Sequence, residues 1–290
     1  MKARIANEIE LLSYLKEVFP SSSSNTLRKM LSLGRVKING EIIHAAKQKL
    51  LPGDTFELLN KATIEQHLRH TKQKEKKSID LIYEDEQILV VEKPPKLLSV
   101  ATDKLELDTL HSKCVDYLKQ TDSKAWAYIV HRLDKETSGI MILAKNKRAK
   151  TYLQDQFSQR AVYRIYHALV ESKPENQSGT INQYLLEDKN LNIKTTTKSN
   201  KNAKLAITHW ELLSTNQSTS LVRVMIETGR RHQIRMAMKS IGHPIVGDLL
   251  HGASSNPVAR ICLHASSLEF LHPQDDEPVR FESNHPFNLL

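Results

Sequence analysis

Apolar residues along the first sixty positions recur at two spacings. Ile5, Ile9, Leu12, Leu15 and Phe19 lie three or four apart, the period of one helix face, and predict an amphipathic helix. Ser21 to Ser24 and Asn25 supply N-cap chemistry for a second helix. Its stripe is Leu27, Met30 and Leu31, and Gly34 is placed to end it as a left-handed cap. The pattern then alternates. Val36 to Ile38 reads as a strand, Asn39-Gly40 as a tight hairpin turn, and Pro52-Gly53-Asp54 as a turn before a strand from Thr55 to Leu58. Residues 9–59 thus predict a small domain of two helices and a hairpin, and the polar, basic stretch 60–78 reads as a linker.

Strands dominate from Ile79 onward. Ile79 to Tyr83 and Ile88 to Glu92 flank a polar turn and predict a hairpin, stopped by Lys93-Pro94-Pro95. Asp108 to Lys119 carries helical spacing through Leu110, Cys114 and Leu118. Trp126 to Val130 and Ile140 to Ala144 read as buried strands around a polar loop. A helix over Lys147 to Gln159 and a strand over Val162 to Val170 follow. Further apolar runs cover Leu205 to Leu213, Leu221 to Glu227 and Ile261 to Phe270. Without a regular βαβ alternation, the order predicts an α+β domain over 79–290 on a largely antiparallel or mixed sheet.

Composition adds a direction. Lys and Arg number 42 against 33 Asp and Glu, a formal charge of +9, which favours a polyanionic partner. No apolar run is long enough to span a bilayer, and the first ten residues lack a secretory pattern. Cys114 and Cys262 have no metal-type spacing, so a reducing cytoplasmic compartment is expected. The pairs His67/His70 and His264/His272 lack a third ligand at useful spacing, so no metal is expected. No heptad or exposed apolar stripe asks for a partner chain, and a monomer is expected.

The stretch SSSSNTLRKMLSLGRVKINGEIIHAAKQKLLPGD resembles the ribosomal-protein-S-four type of RNA-binding domain. That resemblance implies an RNA-binding face carrying Arg28, Lys29, Arg35 and Lys37.

The densest reactive segment is the loop His131-Arg132-Leu133-Asp134-Lys135-Glu136-Thr137-Ser138-Gly139, where cations, carboxylates and hydroxyls sit between apolar strands. Read without a relative, it could be a polar turn with Gly139 relieving strain. The string HRLDKETSG, however, resembles the signature of the RluA family of pseudouridine synthases. Further blocks lie in the family's order, LIYEDEQILVVEKPPKLLSV before it and Arg164-Ile165-Tyr166 and GRRHQIR with GHPIVGD after it, so the resemblance covers roughly residues 79–272.

The resemblance implies isomerisation of uridine to pseudouridine in structured RNA. The C1′–N1 bond breaks and C1′ joins C5; nothing is oxidised or hydrolysed, so no cofactor is expected. Asp134 would be the catalytic carboxylate, either as nucleophile toward sugar or base or as a base removing a sugar proton. Burial would raise its pKa, so a cation must hold it charged, and Arg235 is the matched candidate for a bidentate grip. Tyr166 would lie against the target base. The target has to be flipped out of its stack, with Arg132 filling the space or pairing with phosphate. His131 is expected to shape the loop beside the bound RNA.

Lys96 stands where glycine often follows K-P, Ala237 where histidine is frequent, and Arg164 where lysine is usual. None belongs to the Asp134, Tyr166 and Arg235 set. The N-terminal module points to large-subunit ribosomal RNA ahead of tRNA. The rival readings are a non-catalytic ribosome- or RNA-binding protein and a glycosylase using the same carboxylate.

Overall fold

In the computed structural model, residues 1–59, 79–102, 106–189 and 191–290 are described. The expected linker over 60–78 and its histidines, His67 and His70, lie outside them. The chain divides into two compact units, Met1–Ser78 with Val100–Lys113, and Ile79–Ser99 with Cys114–Leu290.

The first unit holds strands β1 (Lys2–Arg4), β2 (Ile9–Glu10), β3 (Val36–Ile38), β4 (Glu41–Ile42), β5 (Lys49–Leu50) and β6 (Thr55–Leu58). Helices α1 (Leu11–Val18) and α2 (Ser24–Ser32) precede β3. The strands form a four-stranded sheet, β1-β6-β3-β4, and the pair β2-β5. Ser23 caps α2 by accepting the Thr26 N–H, and Leu27, Met30 and Leu31 are buried as the stripe requires. Gly34 (φ 67°) follows in the left-handed region, as do Asn39 (φ 52°) and Gly40 (φ 86°) in the hairpin turn. The first helix is shorter than its spacing predicts. Ile5 and Ile9 reach the same core as Leu11, Leu12 and Leu15, but from extended backbone. Ile9 pairs with Leu50, so a strand ladder satisfies the main chain that a longer helix would have used.

The second unit begins with β7 (Asp80–Glu84) and β8 (Ile88–Lys93), the expected hairpin. Helix α3 (Leu110–Leu118), which belongs to this unit from Cys114 onward, leads to β9 (Tyr128–Ile129), β10 (Ser138–Ala144), α4 (Lys147–Ser158) and β11 (Tyr163–Glu171). Then come β12 (Ser178–Glu187), β13 (Ile193–Thr196), β14 (Lys204–Thr215), β15 (Thr219–Ile226), α5 (Gln233–Ser240), β16 (Leu263–Leu271) and β17 (Pro278–Glu282). These strands make one sheet in the order β13-β12-β14-β15-β11-β16-β10-β8-β7, with β17 beside β16 and β9 beside β10. Its pairs are antiparallel except β10 with β16, which confirms an α+β fold on a mixed sheet. The expected strand over Trp126 to Val130 is reduced to two residues that pair with the far end of β10.

β10 is buried along its whole length, and Ile140 and Ile142 pack with Ile88, Val90, Ala149, Leu153 and Leu268. Anchored there, β10 gives the preceding loop a rigid base. At Gly139 the parallel strand comes so close that an added Cβ would lie 2.2 Å from the Ala265 carbonyl oxygen, at φ +114°. The glycine relieves strain here, as the loop pattern suggests. Gly139→Ala is expected to destabilise the protein by more than ~3 kcal/mol, measurable as a fall in the urea midpoint. A midpoint unchanged within error contradicts that close approach.

Candidate active site

The loop from His131 to Thr137 joins β9 to β10 and is tied down from several sides. The Leu133 N–H donates to Ser99 Oγ at 3.1 Å while that hydroxyl donates back to the Leu133 carbonyl at 2.7 Å. The Lys93 ammonium is buried and donates to the carbonyls of Pro94 (2.9 Å), Leu97 (2.8 Å) and Lys135 (3.0 Å). Burial pulls the Lys93 pKa down to about 7, against the nearby charges of Asp134 and Glu136. Three carbonyl acceptors match the three N–H groups of the protonated form, so this lysine is the pin between the proline turn and the reactive loop. Lys96 takes φ 67° in that turn: the lysine adopts a glycine-like conformation.

His131 is a wall of the loop. Its ring stacks on Phe157 at 4.8 Å, and its Nε2 accepts the Ile142 N–H at 3.1 Å. Burial and the Arg164 charge hold its pKa near 3, so it is neutral and offers no cation to phosphate. Its geometry is that of a residue that shapes the loop, and it stands in the lining of the pocket the loop faces.

Asp134 faces a cavity of about 350 Å³ whose lining includes Arg132, Arg164, Tyr166, His232 and Arg235. The structure therefore brings the predicted trio of Asp134, Tyr166 and Arg235 to one pocket, with Arg132 at its exposed edge. Tyr166 is buried on β11, opposite a register shift against β16. Such irregularities re-aim side chains beside functional sites.

The expected grip of Arg235 on Asp134 is not what the geometry shows. The Arg235 guanidinium forks onto Asp248, Nε to Oδ2 and Nη2 to Oδ1, both at 2.7 Å and both residues buried. Asp134 is touched instead at 4.0 Å by Nε2 of His232, whose Nδ1 lies 2.9 Å from His251 Nε2. Burial, with the charges of Arg235 and other neighbours, drives the His232 pKa down to about 3, so the ring is neutral. Arg235 still acts on Asp134 through space, the largest of four cationic influences ahead of Arg132, Arg231 and Lys93. Desolvation nevertheless exceeds them, and the Asp134 carboxyl titrates above its ordinary range.

Sequence reading missed the supports. Gln233 accepts from Thr228 Oγ1 (2.8 Å) and the Arg230 N–H (3.0 Å), and donates to the Ile207 carbonyl (2.9 Å) and Thr208 Oγ1 (3.1 Å). It pins the Gly229–Arg231 turn to β14, while His232, at φ 54°, starts α5 from a left-handed residue. All three belong to the GRRHQIR string, the signal that could have found them. His264 and His272, weighed as ligands, are engaged elsewhere. His264 bonds the hydroxyls of Ser138 (2.8 Å) and Ser283 (3.0 Å), and His272 Nε2 lies 2.8 Å from Asp85. Arg28 and Lys29 are exposed on α2, and Arg35 and Lys37 half-buried beside or within β3.

A half-buried carboxylate facing a pocket walled by arginines, on a mixed antiparallel sheet, defines an enzyme for an anionic substrate with a carboxylate at its centre. A family model described as RNA pseudouridylate synthase matches residues 87–240, and one described as the S4 domain matches residues 11–56. The chain belongs to the RNA pseudouridylate synthase family. The RNA pseudouridine synthase YjbO of Bacillus subtilis (strain 168) is 32% identical over 256 residues, 88% of each chain. Ribosomal large subunit pseudouridine synthase D of Haemophilus ducreyi is 29% identical over 300 residues, covering 97% of this chain and 90% of that one. The structure of human RNA pseudouridylate synthase domain containing 1 superposes with a TM-score of 0.60 at 26% identity, over 73% of this chain and 85% of that one. This protein is an enzyme that converts uridine to pseudouridine in RNA, preceded by an RNA-binding domain. Among the described residues no helix is long and apolar enough to cross a membrane.

Two substitutions separate stability from activity. Arg235→Ala strands the buried Asp248 carboxylate and is expected to cost about 3–5 kcal/mol, read from chemical denaturation. Asp134→Asn should act in the opposite sense. Because its carboxyl pKa is raised on folding, ionisation above that pKa opposes the folded state. The variant is expected to melt higher than the parent at pH 7, with the gain fading as pH falls through the raised folded pKa and gone below the unfolded value of about 3.9. Melting curves between pH 3.5 and 8 check the sign; a lower melting point at neutral pH contradicts it.

Proposed function

We propose that the enzyme modifies uridines of large-subunit ribosomal RNA, with Asp134 as nucleophile toward a nucleotide flipped into its pocket. The observation that carries this is the exposure of the Asp134 carboxylate, 22% accessible, to a nucleotide-scale cavity shared with Tyr166 and four arginines. Two relatives named ribosomal large subunit pseudouridine synthase D, from Haemophilus ducreyi and Zymomonas mobilis, support the substrate. Such a substrate fits a cytoplasmic enzyme, which we take to work as a monomer.

The side chains divide the work by their chemistry. Arg132, the exposed one, meets phosphate or fills the space the base has left, offsetting the few kcal/mol that flipping costs. Tyr166 offers a ring face to the uracil; burial and the Asp134 charge push its hydroxyl pKa up, so it stays protonated and can donate. Arg235, fixed by Asp248, cannot swing onto Asp134 and quench it, yet its charge stabilises the ionised acid. Within the N-terminal domain, Arg28, Lys29, Arg35 and Lys37 supply sequence-independent attraction to phosphate.

Uridine-5-tritiated ribosomal RNA gives the test. The proton leaves C5 when C1′ bonds there, so the enzyme is expected to release tritium to water with no free uracil. Asp134→Asn should reduce that release by at least ~10³-fold while the protein stays folded. For the parent enzyme, kcat/KM should fall with acid through an apparent pKa above the ordinary carboxylate value of about 3.9, since only the ionised acid can attack. Free uracil in the products, or full turnover by Asp134→Asn, would overturn the proposal.

A further inference from the structure

Beside the catalytic pocket lies a second groove, of about 730 Å³, formed by the ends of β12 and β13, the turn at Lys201–Lys204 and the Gly229–Arg231 turn. Gly229 and Arg230 line both cavities, so the two share a wall. Arg230 is held at that junction by its Nε bond to the Leu205 carbonyl at 3.1 Å.

The groove has an uneven charge. The segment from Lys189 to Lys204 contains five lysines and no acidic residue. Of the two acids in the groove wall, Glu187 pairs with Arg231 at 2.8 Å and Asp188 with Lys194 at 3.6 Å. Lys189, Lys201 and Lys204 are exposed in the wall and have no ion-pair partner among the described residues. Three unneutralised ammonium groups around a concave surface repel one another and gain most from a ligand that carries charge at intervals. A groove that shares its Gly229–Arg230 wall with the Asp134 pocket lies beside the chain that runs on from a nucleotide held in that pocket.

We infer that this groove binds the sugar–phosphate strand flanking the target uridine, with Lys201 and Lys204 neutralising its phosphates. The inference rests on the reading of the Asp134 pocket as the nucleotide site and extends it outward along the chain of the RNA. Lysines suit the task because an ammonium grips phosphate as a point charge without demanding one base sequence. The groove would thus set how tightly the substrate is held and leave the choice of base to the pocket.

The experiment compares the full-length parent, K201Q/K204Q, and a control pair, K124Q/K173Q, whose lysines are exposed but lie outside the groove. Tritium release and RNA binding are followed from 50 to 300 mM salt, on a long ribosomal-RNA fragment and on a short one trimmed to the nucleotides next to the target. On the long RNA, loss of two phosphate contacts should lower the salt slope of log K by about 1.4 and raise KM roughly 20-fold near 0.1 M salt. The kcat should hold, the control should behave as the parent, and the trimmed RNA should erase most of the difference. An unchanged slope and KM for K201Q/K204Q, or an equal effect of the control, would overturn the groove assignment. A parent that binds with the expected slopes yet releases no tritium leaves the groove standing and removes the catalytic reading instead.

Discussion

A carboxylate must remain reactive after most of its water has been stripped away, and the second unit is organised around that demand. Burial pushes Asp134 toward its neutral form, while Arg235, Arg132, Arg231 and Lys93 pull the other way. None of these cations bonds the carboxylate. A direct bidentate contact would lower the pKa but would also occupy the oxygens that the proposed attack requires. Turning the Arg235 fork onto Asp248 keeps its field and withholds its hydrogen bonds. The result is an acid whose charge is tolerated without being neutralised. Such a site is a source of instability that the rest of the sheet has to carry.

The same constraint explains the rigidity of the surroundings. Charge–charge effects over several ångströms serve catalysis only if the distances cannot relax, because in a fluid site water would screen them. Lys93 holds three carbonyls, Ser99 holds both polar groups of Leu133, and Gly139 lets β16 press against the base of the loop. On the opposite wall, Gln233 makes four hydrogen bonds that fix the arginine turn.

How much of this could be read from the chain follows from the range of each interaction. Capping by Ser23, the left-handed Gly34 and the Asn39-Gly40 turn are local events, and the residues alone disclose them. The central strands were legible as apolar runs because both their faces are buried. β12 and β13 were not, since SGTINQYLLE and IKTT mix polar and apolar residues on a half-covered sheet edge. In the site, the motifs disclosed which residues meet in the pocket, but not how they pair. Asp248 lies 13 residues from Arg235 across a loop, and only the folded geometry shows that it, not Asp134, takes the guanidinium. Ile5 and Ile9 misled for a related reason: an apolar spacing marks what is buried, not the backbone that buries it.

Arg164 shows how one departure from the usual residue fits this electrostatic scheme. Its guanidinium lies over Phe157 at 5.5 Å and donates through Nη2 to the Glu227 carbonyl at 3.0 Å, while His131 stacks on that same ring. Nε is buried without a hydrogen-bond partner among the described residues. Burial lowers the pKa here too, but from so high a starting value that an arginine stays charged where a lysine would be closer to losing its proton. Its field helps keep His131 neutral and opposes the effect of Asp134 on Tyr166. A permanent cation on the Tyr166 side of the pocket therefore offsets what the Asp134 charge does to the Tyr166 hydroxyl, and the flat guanidinium can do so while packed against an aromatic face.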